Sequence, residues 1–175
     1  MTGSESALLV PLAEAEGRIG EWRSLYDPSC AAGVPAHVTL IYPFVPPDAI
    51  DDALLQTLAA HFAAARPFDV AFPRLARFPG VIYLAPEPAQ PFRALIAGLV
   101  KRWPEYPPYR GAHEEVVPHL TIADRRAHLD LVLMNRVEVG VAPLLPFADR
   151  ASEVWLMTSR RGRWRRKARF ALGAR

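Results

Sequence analysis

His37-Val38-Thr39-Leu40-Ile41-Tyr42-Pro43-Phe44 decides the reading of this chain, because its first four residues recur in kind at His119-Leu120-Thr121-Ile122. Each copy closely follows a proline, Pro35 in the first and Pro118 in the second. Branched and aromatic residues, with Gly33-Val34-Pro35 ahead of the first copy, mark both segments as strands. Side chains on a strand alternate between its two faces. His37 and Thr39 therefore share one face and Val38 and Leu40 the other, and His119 and Thr121 oppose Leu120 and Ile122 in the same way. One His-x-Thr in a strand is ordinarily structural. Two copies, both in apolar strands and far apart in sequence, are much harder to attribute to chance.

Two such strands facing each other across a cleft would gather two imidazoles and two hydroxyls around one small volume. Phosphodiester chemistry needs that set. One base takes a proton from the attacking water or hydroxyl, and one acid protonates the leaving oxygen. Hydrogen-bond donors must also meet the charge that develops on the non-bridging oxygens. Histidine suits both proton-transfer roles because it titrates near neutrality. A strand threonine is stiff at χ1, so its hydroxyl is held in one direction at little further entropic cost.

Outward from the two motifs, periodicity gives the order β-α-β-α-β-β-α-β-α-β-β. Strands are expected over residues 7–12, 37–44, 68–78, 81–85, 119–123, 151–158 and 163–172. Helices are expected over 14–25, with Ala15, Ile19, Trp22 and Leu25 on its apolar face, and over 50–65, 91–103 and 128–137. Asp48 reads as the N-cap of the second helix, and the proline-rich segment 104–110 as a loop.

The chain has 175 residues, 51% of them hydrophobic, and a net charge of +3. That suits a single domain, residues 1–175, with a substantial core. Apolar runs are too short for a membrane span, and the first residues lack the pattern of a signal peptide. A cytoplasmic location is the expectation, and Cys30, the one cysteine, agrees with it. The basic residues Arg160, Arg161, Arg163, Arg165, Arg166, Lys167, Arg169 and Arg175 crowd the C-terminal end with no acidic residue among them, which leaves the rest of the chain net acidic. Period-two alternation places Arg163, Arg165, Lys167 and Arg169 on one strand face, opposite Trp164, Ala168 and Phe170. Such a row is either a solvated face or a contact for RNA.

The doubled motif, the first strand, the stretch Phe78-Pro79-Gly80-Val81-Ile82-Tyr83-Leu84 and the closing strands around Gly162-Arg163-Trp164 together resemble the 2H phosphoesterase superfamily, and within it the 2′-5′ RNA ligase-like proteins. The resemblance implies a bilobal α+β fold in which two pseudo-symmetric antiparallel sheets, with helices outside, flank a central cleft. It implies metal-independent hydrolysis of 2′,3′-cyclic nucleotides, RNA ends or related phosphodiesters; no cofactor and a monomeric state are further expectations. His37 would be the general acid, His119 the general base, and Thr39 and Thr121 the phosphate ligands. Two alternatives accompany it: 2′-5′ ligation as the reverse reaction, and a nucleotide- or RNA-binding module with the same cleft and no useful turnover. One departure is that relatives often carry a basic residue soon after the second motif, where this chain has Asp124 before Arg125. On a regular strand Asp124 would point away from His119 and Thr121.

Other candidates are weaker. His113 and His128 flank His119 without the spacing of paired zinc ligands and without a cysteine or carboxylate to join them. His61 reads as an ordinary helix residue, and Cys30 has no nucleophile motif around it. Tyr42, Tyr83, Trp155 and Trp164 could stack on a base but are better explained by packing. Gly80 and Gly162 are isolated, so no phosphate-binding loop for ATP is present.

Overall fold

In a computed structural model of the chain, residues 4–113, 115–124, 126 and 130–173 are described. Among the described residues there are eight strands: β1 (Glu5–Pro11), β2 (His37–Ile41), β3 (Phe68–Phe78), β4 (Val81–Glu87), β5 (Leu120–Asp124), β6 (Phe147–Ala151), β7 (Glu153–Arg160) and β8 (Arg163–Ala171). They form two four-stranded antiparallel sheets, in the orders β2-β1-β7-β8 and β5-β4-β3-β6. Each sheet thus has a motif strand, β2 or β5, at its edge. Pro73 lies in β3 between two neighbours, which is tolerable because the β3–β4 ladder is irregular there and β6 pairs only with residues 68–72.

The helices are α1 (Ala13–Tyr26), the short α2 (Pro28–Ala31), α3 (Asp52–Ala63), α4 (Gln90–Arg102) and α5 (Leu131–Val141). α1 leaves the first sheet and packs against β5 and β6 of the second, while α3 contacts β8 and α4 contacts β2. The chain therefore crosses from lobe to lobe. One apolar core runs through both, including Leu8, Leu40 and Phe62 with Phe72, Ile82 and Ile122, all fully buried. Each such side chain contributes roughly 1.5–3 kcal/mol by leaving water. A smaller cluster of Leu9, Val34 and Met157, with Trp155 and Trp164 against it, lies on the other face of the first sheet.

Four expectations need correction. Asp48 falls in a 3₁₀ turn, and extended backbone at Ile50 delays α3 until Asp51, whose carboxylate accepts from Leu54 N at 2.8 Å. α5 begins after Asp130, which caps Leu133 N, and His128 lies outside the described residues. Strand β6 was not expected; it is short, and its Asp149 caps α1 from a distance by accepting from Ala15 N at 2.8 Å. Finally, α1 buries Ala15, Ile19 and Arg23, whereas Leu25 is 68% exposed. A fully buried arginine in place of a leucine is a structural fact that apolar periodicity could not anticipate.

Candidate active site

The two motif strands share more than a sequence. On β2, Thr39 pairs with Leu9 but Ile41 pairs with Leu8, so Leu40 is an extra residue in the ladder. On β5, Thr121 pairs with Tyr83 but Ala123 pairs with Ile82, so Ile122 is extra in the same way. Each threonine is followed at once by a β-bulge, which reverses the alternation beyond it. Tyr42 and Asp124, equivalent in the two copies, are thereby turned to the face that carries the histidines.

That face lines a cavity of about 390 Å³ between the sheets, and His37, Thr39, His119 and Thr121 all border it. Each imidazole is anchored by a backbone carbonyl two residues earlier: His37 Nδ1 lies 2.7 Å from Pro35 O and His119 Nδ1 lies 2.8 Å from Val117 O. A carbonyl can only accept, so Nδ1 carries a proton in both rings and Nε2 is left for the cavity. His119 is further packed edge-on against Phe78 and Tyr83, ring centroids 5.1 and 5.5 Å away, while those two stack on each other at 4.2 Å. Burial lowers both histidines from their usual value. His37 falls to about 4, with the nearby Arg23 cation adding to the effect, and its hydrogen bond to Pro35 opposes it. His119 is lowered by burial alone, against its bond to Val117.

Arg23, fully buried, connects the two motifs. Its guanidinium donates to Asp27 Oδ2 at 2.8 and 3.2 Å, to Glu16 Oε2 at 3.1 Å, to Val34 O at 3.3 Å and to Thr121 O at 3.2 Å. Glu16 also accepts from Ala36 N, beside His37. One side chain on α1 therefore touches the approach to the first motif and the backbone of the second.

Residues 11–163 match the family described as the 2′-5′ RNA ligase superfamily. The chain belongs to it. This is the 2H phosphoesterase superfamily, a group of phosphoesterase- and ligase-type enzymes. Among solved structures, Escherichia coli LigT complexed with NADP+ is 18% identical, with 98% of this chain and 99% of that chain covered and a TM-score of 0.61. A structure described as a phosphoesterase is 19% identical over 97% and 98% of the two chains, TM-score 0.61. TT0787 of Thermus thermophilus is 18% identical over 97% and 98%, TM-score 0.59. At these identities the likeness is one of fold. No curated protein matches the sequence.

Against the 2H pattern, Asp124 is where this chain departs, and the bulge at Ile122 overturns the expectation that it points away: it borders the cavity. Its carboxylate engages Arg126 at 2.8 Å and also caps Arg126 N at 2.9 Å. Arg126 is itself another cavity residue. Sequence reading also passed over Tyr109. It lies in the loop expected over 104–110, adopts a left-handed φ of 52°, and is fixed by donating Tyr109 N to Tyr42 O at 2.6 Å. Its phenol meets the Thr39 hydroxyl, and burial raises its pKa. The run Pro107-Pro108-Tyr109-Arg110-Gly111, ending in glycine, is the signal that marked a constrained turn there.

Of the remaining candidates, His61 and Cys30 lie outside the cavity lining. His61 packs on Phe62 and Trp103, and His113 packs edge-on to Tyr109. Burial pushes the Cys30 thiol up, the opposite of what a nucleophile needs. Tyr83 supports His119, whereas Tyr42 and Trp164 border the cavity. Among the described residues no three His, Cys, Asp or Glu side chains are grouped as metal ligands, and no helix is long and apolar enough to cross a membrane.

Proposed function

We propose that the protein is a metal-independent phosphodiesterase acting on 2′,3′-cyclic phosphates of nucleotides or RNA ends. The observation that carries this reading is the matched anchoring of His37 and His119, which presents two Nε2 atoms and two threonine hydroxyls to one cavity. In hydrolysis, one Nε2 accepts a proton from water as its oxygen bonds to phosphorus. The bond from phosphorus to one ribose oxygen breaks, and the other Nε2–H protonates that oxygen. Thr39 and Thr121 donate to the non-bridging oxygens, and Arg126 adds positive charge at the rim. With a 5′-hydroxyl in place of water the same transfers join it to the cyclic phosphate, and run backwards they cleave the linkage so formed.

The surroundings favour His37 as base and His119 as acid, the reverse of the family pattern. A base must be neutral and an acid protonated, and His37, held at about 4, loses its proton first. The kcat/KM profile for a nucleoside 2′,3′-cyclic phosphate should therefore be a bell on the acid side of neutrality. It rises as pH passes about 4, where His37 becomes neutral, and falls as His119 deprotonates below its ordinary value. Bound phosphate adds a negative charge that raises both histidines, so the kcat profile should sit at higher pH than that of kcat/KM. A profile flat from about pH 4 to 9 would remove the paired histidines from the mechanism.

Because imidazoles do the proton work and threonines hold the phosphate, turnover should persist in excess EDTA. Activity that vanishes on chelation and returns with zinc or magnesium would sink the proposal.

A further inference from the structure

The C-terminal hairpin carries more positive charge than the transfers at two histidines require, and its own bulge decides where that charge goes. Leu156 pairs with Ala168 and Met157 with Arg166, so Lys167 is extra in the ladder. The row expected from alternation, Arg163, Arg165, Lys167 and Arg169, is therefore split. Directly paired residues share a face. Leu9, which borders the cavity, pairs with Trp155, and Trp155 with Arg169. Ala7, also at the cavity, pairs with Met157, and Met157 with Arg166. Trp164 borders the cavity directly. The face that begins with His37 and Thr39 on β2 thus continues across β1 and β7 to Trp164, Arg166 and Arg169 on β8. Three strand intervals make that distance about 14 Å.

Arg163 and Arg165 go the other way. Thr158 pairs with Arg165, and Arg163 pairs with Arg160; with Arg161 they border a separate groove at the hairpin tip.

On the cavity side, Arg166 lies over the Trp155 ring, 4.5 Å from its centroid, and both arginines are exposed. The nearby carboxylates are already engaged: Glu5 by Tyr42 and Arg110, Glu153 by the Trp155 indole N–H. We propose that this surface is a track for a single RNA strand, so that the substrate is an oligonucleotide end rather than a free mononucleotide. This rests on the reading of the cavity as a phosphodiesterase site. A guanidinium on an indole offers a flat cationic platform for a base, and Arg169 a forked donor for a backbone phosphate. Single strands are held by this combination of aromatic planes and positive charge along one lane.

The test uses the whole chain and a 5′-labelled oligoribonucleotide ending in a 3′-phosphate, followed by fluorescence anisotropy across a salt series. The pair R166Q/R169Q and the pair R163Q/R165Q remove the same charge from opposite faces. R166Q/R169Q should weaken binding about tenfold or more, the scale of lost charged hydrogen bonds. Its slope of log affinity against log salt should shrink by ~0.7, for the one phosphate contact assigned to Arg169. R163Q/R165Q should change binding less than about twofold. Equal losses in the two pairs would mean bulk attraction only and overturn the track, as would no loss in either, or polyglutamate displacing the RNA as well as unlabelled RNA does. Turnover of an oligoribonucleotide ending in a 2′,3′-cyclic phosphate by the wild type separates the two proposals. Face-selective RNA binding without turnover overturns the phosphodiesterase and keeps the track, whereas turnover without face selectivity overturns the track alone.

Discussion

Replacing His37 or His119 by alanine is expected to lower kcat on a nucleoside 2′,3′-cyclic phosphate by about 10²–10⁴ each, the usual contribution of a positioned acid or base. The double variant should lose less than the product of the two, because neither proton transfer helps without the other. KM should move little, since Thr39, Thr121 and Arg126 remain to hold the phosphate. The pH profile discriminates further. H37A should lose the limb near pH 4, and H119A the limb on the alkaline side. Wild-type activity in both variants would place the chemistry elsewhere. Undiminished RNA binding with no turnover in any form, wild type included, would favour a binding module.

The second large effect is on stability. Arg23→Met removes the cation from a site where Asp27 is equally buried, leaving a carboxylate with neither water nor its partner. Breaking one side of such a pair costs about 3–5 kcal/mol, a large share of what a domain of this size has to lose. Tm should fall by roughly 6–20 °C. Adding Asp27→Asn should restore part of the loss, since the stranded charge is then gone. A loss under about 1 kcal/mol in Arg23→Met would show that the network contributes little. On the proposed mechanism the network also bears on the pH profile. Arg23 helps hold His37 low, so in the folded fraction of Arg23→Met the acid limb should move to higher pH.

The motif histidines and threonines were legible because their signal is local: four residues, repeated, with strand alternation doing the rest. The same alternation failed one residue later. Three bulges, at Leu40, Ile122 and Lys167, each reverse which face follows, and an extra residue in a ladder leaves no mark on apolar periodicity. That is why Asp124 was expected to face away and why the basic row was read as continuous. Arg23 escaped for a different reason. A cation at a helix position reads as solvated, and its burial depends on Asp27, Val34 and Thr121 converging on it in space. Element order survived because helices and strands are set by spacing within a segment, whereas β6 rested on pairing with β3 and had little local pattern to show.

Because β2 and β5 are edges of different sheets, no ladder of backbone hydrogen bonds sets the distance between the two halves of the site. Within a sheet that spacing would be quantised at about 4.8 Å. Here it is set by the Arg23 tether below and by Phe78 and Tyr109 at the walls, with Tyr83 stacked on Phe78. Phe78 also packs on His119 and the Tyr109 phenol meets Thr39, so substitutions at those wall positions should shift the motif side chains as they change the gap. The width of the cavity and the placement of its imidazoles and hydroxyls are thereby mechanically coupled, set by the same few rings.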